Sequence, residues 1–300
     1  MKHLYLLAVL VLSFLGSQGQ QDEGIKDING TQLYIKTIGR GEPIIVVHGG
    51  PGLNHTYIDP HLNRLSKSFQ VVFYDQRASG RSAIPSSDSI SLDMFARDIE
   101  GIRNYLNKDK IYILAHSWGI IPAVHYATQF PERVKGMIFC NAIPLNKQYA
   151  KEMQEAQLAK SIGLDSTDRS IIMGSPNFRA GKSSAYRKLM LLSFRNSFHK
   201  DSNYEQLDLT LREDYKAAST ALYTGLGKDL AQYDYYEDLK QFSFPMLILH
   251  GHKDVIPMEA DQRIVTNAPN ATLVKFKKSG HFIFIEQNKK FSSVVRKFVR

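Results

Sequence analysis

The sequence predicts an α/β fold: a mostly parallel central sheet with helices on both faces and an inserted helical cap. Three observations carry this. Short apolar runs recur along the chain and are continuous rather than alternating, as expected of strands covered on both sides. Helical patterns lie between them; Leu92, Phe95, Ile99, Ile102 and Leu106 keep spacings of three and four. From residue 145 to residue 240 the strand runs stop and only helical patterns remain.

Taken in order, the predicted strands are Gln32 to Ile38, Ile44 to His48, Val71 to Asp75, Ile111 to Leu114, Val134 to Cys140, Met246 to His250 and Thr272 to Phe276. Helices are expected over Ser91 to Leu106 and Gly119 to Gln129, the second ending before Pro131. The insertion reads as helices over Lys147 to Ser161, Ser183 to Ser197 and Leu209 to Leu226. Three hundred residues can bury one substantial core plus such an insertion. The expected division is a catalytic domain from 20–144 and 241–300, with a cap over 145–240.

The first residues suggest export. Lys2 and His3 precede an apolar run from Leu4 to Leu15, followed by Gly16-Ser17-Gln18-Gly19-Gln20. A basic start, a short apolar middle and small residues make a secretory signal peptide, assigned to 1–19. The run is too short for a membrane span. The only cysteine is Cys140, within a buried-strand pattern, so no internal disulfide can form. The triplets at Asn29, Asn54 and Asn270 match glycosylation acceptors, but such triplets arise often by chance. A secreted eukaryotic domain of this size commonly carries disulfides, so the expected setting is a bacterial periplasm or exterior.

The chemistry is announced at residues 111 to 119. The apolar run Ile111-Tyr112-Ile113-Leu114-Ala115 breaks into His116-Ser117-Trp118-Gly119. This is the layout of a nucleophile elbow, a tight strand-to-helix turn that lifts a serine hydroxyl out of the sheet. Ala115 stands where such elbows carry glycine; one extra methyl still fits where strand and helix approach closely. Asp254 follows the run Met246 to His250, and His281 follows Thr272 to Phe276. Ser, then Asp, then His, each beyond its own strand, is the chain order of an α/β-hydrolase triad. Asp261 competes with Asp254 but lies farther from its strand. His250 and His252 flank Gly251 in a segment leading to the acid, so no metal is called. No cofactor is called either.

His48-Gly49-Gly50-Pro51-Gly52 directly follows Ile44 to Val47. Glycines at a strand end leave amide hydrogens uncovered, and one arm of an oxyanion hole is assigned to Gly50. The other arm is the amide of Trp118. His116 is expected to shape the elbow and His125 to pack on the next helix.

His48 to Gly52, the stretch Asp75-Gln76-Arg77-Ala78-Ser79-Gly80-Arg81-Ser82 and Ser117-Trp118-Gly119 together resemble the proline iminopeptidase family of α/β-hydrolases. The resemblance covers about residues 30 to 145 and 240 to 300. It implies a serine hydrolase whose relatives remove an amino-terminal residue, often proline, from peptides. Asp75, Arg77 and Arg81 would then brace the loop beside the site.

Residues 145 to 240 show no acidic stretch like the one with which those peptidases grip the substrate's amino group. An aminopeptidase needs a carboxylate there, because an unpaired, desolvated ammonium costs several kcal/mol. The cap offers Glu152, Glu155, Glu205, Glu213, Asp214 and Glu237; Glu205 and Glu213 are the chosen candidates. The cap aromatics, among them Phe178, Tyr186, Phe194, Phe198, Tyr204, Tyr215, Tyr223, Tyr233, Tyr235 and Tyr236, are expected mainly in packing, with two or three lining a pocket.

The reading is therefore a serine hydrolase acting on a small peptide, with a carboxylic ester or lactone hydrolase on the same fold as the alternative. A non-catalytic binding protein sits poorly with a complete triad, and epoxide hydrolase or dehalogenase relatives place aspartate at the nucleophile. Net charge is +9, with basic residues scattered and a small excess near the end. No concentrated basic stripe or nucleic-acid motif appears, so a nucleic-acid partner is not expected.

Overall fold

A computed structural model describes residues 21–161 and 166–299. The proposed signal peptide at 1–19 lies outside the described residues.

Eight strands form one sheet: β1 Asp22–Ile28, β2 Thr31–Ile38, β3 Pro43–Val47, β4 Gln70–Tyr74, β5 Ile111–His116, β6 Val134–Cys140, β7 Met246–Gly251 and β8 Ala271–Phe276. Their spatial order is β1-β2-β4-β3-β5-β6-β7-β8. β1 and β2 are antiparallel to their neighbours, and all pairings from β4 onward are parallel. Both faces are covered. In β3, Ile45 and Val47 join one core cluster while Ile44 and Val46 join the other, all four at most 1% exposed. Burial on both sides is why these runs read as continuous apolar segments.

The helices are α1 Asp59–Leu62, α2 Leu92–Tyr105, α3 Ile120–Gln129, α4 Lys147–Ser161, α5 Ser166–Gly174, α6 Pro176–Arg179, α7 Ser183–Arg195, α8 Tyr215–Gln232, α9 Met258–Asn267, α10 Ile283–Glu286 and α11 Asn288–Phe298. α2 starts where the Ser91 hydroxyl caps the Met94 amide at 3.3 Å. Its predicted stripe of Leu92, Phe95, Ile99 and Ile102 is buried. Of the basic residues near the chain end, Lys289, Lys290, Arg296 and Lys297 lie on α11, which buries Phe291 and Val295 in the core.

Two expectations need correction. The first strand, β1, carries no apolar run, only an alternation whose Ile25 stays 47% exposed. Its signal is the turn that follows: Asn29 and Gly30 adopt φ +48° and +70°, the two-residue hairpin conformation that Asn-Gly favours. Asn29 also donates to Asp98 at 2.9 Å, and Asn54 is buried, donating to the Thr210 carbonyl at 2.5 Å. Both acceptor triplets are thus structural elements.

The second correction concerns the helix expected over Leu209 to Leu226, which runs from Tyr215 to Gln232. Residues 207 to 212 are instead held as a strap. Leu207 and Leu209 point into the core, and Thr56 and Asn54 take the carbonyls of Asp208 and Thr210. These carbonyls are engaged by side chains from another segment, and the helix begins only after them.

The β6-to-β7 connection holds α4 to α8, and we call it the cap segment. Its longest helix, α8, lies over the glycine loop after β3: a side chain at Gly52 would touch Leu222 at 3.4 Å and the Tyr215 hydroxyl at 3.7 Å.

Candidate active site

Ser117 is the first residue beyond β5 and opens a single 3₁₀ turn, Ser117–Gly119, that leads into α3. Its φ is +55°, a left-handed conformation that costs a non-glycine residue about 1–3 kcal/mol. The surrounding contacts enforce it. A side chain at Gly119 would sit 2.4 Å from the Val47 carbonyl, so α3 leaves the sheet at a distance only glycine tolerates. Ala115, paired with Val47 and Phe139, is fully buried and fits in place of the usual glycine.

Asp254 lies in the turn after β7, where its amide donates to the Gly251 carbonyl at 2.9 Å. Its buried carboxylate meets Nδ1 of His281 at 3.0 and 3.1 Å. The Ile256 amide donates to it at 3.0 Å and Nδ2 of Asn141 at 2.5 Å. Burial pushes the Asp254 carboxyl up. The charge and hydrogen bond of His281, then these two donors, outweigh that and hold it below the usual range. With Nδ1–H donating to the Asp254 carboxylate, His281 keeps Nε2 as the nitrogen with a free lone pair. That nitrogen and the Ser117 hydroxyl make no hydrogen bond among the described residues. Asp261, the competing acid, is occupied by Nδ1 of His250 at 2.6 Å.

The glycine loop and the histidine loop are joined by a buried relay. The Gly49 amide donates to the Tyr57 hydroxyl at 2.6 Å, and that hydroxyl meets Nδ1 of His116 at 2.8 Å. Nε2 of His116 lies 2.9 Å from the His281 carbonyl. A carbonyl only accepts, so Nε2 carries the proton, and Tyr57 donates to Nδ1. Burial, then the neighbouring His281, push the His116 imidazole down to about 3, so it is neutral. His116 therefore does more than shape the elbow.

The relay also determines which loop amide is free. Gly49 is engaged, whereas Gly50, at φ +135°, has no hydrogen-bond partner among the described residues. Trp118 stands in the first turn of a helix, where amides lack intrahelical acceptors. The loop itself is anchored by His48, whose Nε2 accepts from the Gln76 amide at 3.0 Å. Gln76 returns its side-chain Nε2 to the His48 carbonyl at 2.7 Å.

The bracing expected of Asp75, Arg77 and Arg81 takes distinct forms. Asp75 accepts from the His55 amide and ring and from the Arg81 amide. Arg77 is fully buried against Asp98 and the Ser89 carbonyl. The Arg81 guanidinium stacks 3.9 Å over Tyr34. His125 links helices to the cap, meeting Tyr235 at 2.9 Å and Asp93 at 2.7 Å.

The two chosen cap carboxylates are exposed. Glu205 lies in the short turn Asp201–Gln206. Glu213 lines a surface groove of about 810 Å³ with Lys182, Lys216 and Ser86, a groove lined by neither Ser117 nor His281. Neither carboxylate has the desolvated setting that gripping an ammonium group requires. Two residues absent from the sequence reading do contribute, Tyr57 and Asn141. Asn141 directly follows β6, and the carboxyl ends of parallel strands are where α/β sites assemble. Tyr57 carries no comparable signal.

The family model described as alpha/beta hydrolase fold matches residues 42–287. Among curated proteins, the proline iminopeptidase of Heyndrickxia coagulans is 29% identical, covering 92% of this chain and 98% of its own. That of Lactiplantibacillus plantarum is 26% identical, covering 89% and 96%. Among solved structures, a thermophilic esterase from Thermogutta terrifontis superposes with a TM-score of 0.67 at 23% identity, covering 94% and 98%. This chain therefore belongs to the alpha/beta hydrolase fold family, and it is an enzyme similar to the proline iminopeptidases.

Proposed function

We propose that the protein is a serine hydrolase working through Ser117, His281 and Asp254 by way of an acyl-enzyme, and that it releases proline or a similar residue from the amino terminus of peptides. One observation carries the mechanism. The Asp254 carboxylate holds Nδ1 of His281, which fixes the tautomer in which Nε2 is the base. Catalytic hydrogen bonds of this kind tighten when substrate arrives.

Ser117 loses its proton to Nε2 of His281 as its oxygen attacks the substrate carbonyl. Asp254 stabilises the imidazolium that results. The amides of Gly50 and Trp118 receive the developing oxyanion, a contribution worth about a hundredfold to a thousandfold in turnover per donor. The imidazolium then protonates the leaving amine, and water, deprotonated by the same ring, releases the acyl group. The iminopeptidase names of the relatives and the motifs at 48–52 and 75–82 support the substrate class. So does the apolar cover of Leu222 and Tyr215 beside Gly52.

A fluorophosphonate probe should label the wild type and fail on Ser117→Ala. Proline p-nitroanilide should be hydrolysed faster than short acyl p-nitrophenyl esters; turnover of the esters alone would reassign the substrate to the ester class. Export is proposed from the pattern at 1–19 and is tested by amino-terminal sequencing of the secreted protein. An intact Met1 would refute it.

A further inference from the structure

We propose that Glu286 is a positioning residue that fastens the cap segment to the loop carrying His281. The proposal rests on the hydrolase reading above for the role of His281, but the joint itself is purely structural. Glu286 is the last residue of α10 and is partly buried. Its Oε1 accepts from the His199 amide at 2.9 Å, the Lys200 amide at 3.1 Å and Nδ2 of Asn203 at 2.9 Å, all in the cap segment. Its Oε2 accepts from the Gly280 amide at 2.7 Å, next to His281, and from the Ser279 hydroxyl at 3.3 Å. The His199 amide also reaches Oε2 at 3.1 Å.

One carboxylate thus gathers donors from two segments some eighty residues apart in sequence. Ionised carboxylates accept without donating, and charge-assisted bonds are about twice as strong as neutral ones, so an acid suits this place better than an amide. Three further contacts tie the same two segments. The His281 amide donates to the Ser197 carbonyl at 2.7 Å. A side chain at Gly280 would meet that carbonyl at 2.1 Å, so only glycine lets the segments approach. Phe198 stacks on Phe282 with ring centroids 4.7 Å apart, and Phe194 meets the same ring edge-on at 5.3 Å.

The consequence is mechanical. The histidine loop has little room to move relative to residues 197–203, so this end of the cap is a fixed joint. The position of the base is set partly by the element that covers the substrate. Glu286→Gln keeps the volume but turns an amino group toward one set of donors, which opens the joint. It should therefore act on turnover rather than on substrate affinity.

The test compares full-length wild type with Glu286→Gln. Hydrogen exchange at residues 199–200 and at Gly280 should accelerate together, by about tenfold, as the amides lose their shared acceptor. Ester turnover per fluorophosphonate-titrated site should fall about tenfold with KM nearly unchanged. Acceleration on one side only, or full turnover per titrated site, overturns the proposal. Should Glu286→Gln not fold, Asn203→Ala removes one donor on the cap side. Gly280 must still exchange faster in that variant, and an unchanged Gly280 refutes the joint. A wild type that resists the probe sinks the hydrolase reading alone, since the exchange measurements still decide whether the joint exists.

Discussion

The sheet and the cap segment are both packed from apolar residues, yet they spend them differently. In β3 to β7 most side chains on both faces are buried, and the residues at the strand ends are pinned by neighbouring backbone. In the cap, α8 buries only Tyr215, Ala218, Leu222 and Leu226, while Ile171, Met173 and Tyr223 are 66%, 46% and 50% exposed. The sheet thus offers one solution for where Ser117 and Asp254 stand. The cap is positioned from outside, by the strap at 207–212 and by the contacts of residues 197–203. The difference puts the residues proposed for chemistry on the densely packed frame and leaves more apolar surface exposed on its cover.

That contrast can be broken at its strongest point. Asp254→Asn preserves shape but reverses the hydrogen bond to His281, and turnover should drop about ten-thousandfold with the melting temperature little changed, read by steady-state kinetics. A fall smaller than tenfold would remove Asp254 from the site. Next in size, Gly119→Ala drives a methyl toward the Val47 carbonyl and should destabilise by about 3 kcal/mol in urea melts.

Acidification probes the same frame. Burial pushes His48 down to about 4 and His116 to about 3, against an ordinary imidazole value near 6.5. The unfolded chain therefore binds protons that the folded one refuses, and stability should fall as pH drops from about 6.5 toward 4. The slope is about 1.4 kcal/mol per pH unit for each histidine. Asp261, raised by burial, works in the opposite sense below its folded value and offsets part of that slope. Thermal melts across this range give the measurement, and a flat profile would contradict the buried neutral relay.

Smaller again, Tyr57→Phe strands the Gly49 amide and Nδ1 of His116. It should cost about 1–3 kcal/mol and lower turnover several-fold with KM unchanged. At the bottom, Ile171→Ser on the exposed side of α5 should stay within about 0.5 kcal/mol of wild type. A large loss there would show that the cap is as tightly determined as the sheet.

The site was legible wherever a residue type and a strand end coincide. Ser117, Asp254 and the glycine loop each follow an apolar run, and backbone geometry at such ends restricts what can stand there. Tyr57 was invisible because its partners, Gly49 and His116, are brought to it by packing rather than by spacing. The strand β1 escaped because an edge strand with one solvated side needs no apolar run. The start of α8 was misjudged because the carbonyls that hold 207 to 212 extended are claimed by Asn54 and Thr56, about 150 residues earlier in the chain.

By itself, then, the chain's order of residues determined the parallel sheet, the helical insertion and the order of the proposed nucleophile, acid and base. Local backbone preference and burial on two faces act over a few residues and leave their mark in the letters. Tertiary structure alone decided that Asp261 is taken by His250, that Tyr57 occupies the Gly49 amide and links it to His116, and that Glu205 and Glu213 stand in solvent. Those choices depend on which distant groups arrive within hydrogen-bond reach, and only the folded chain brings them together.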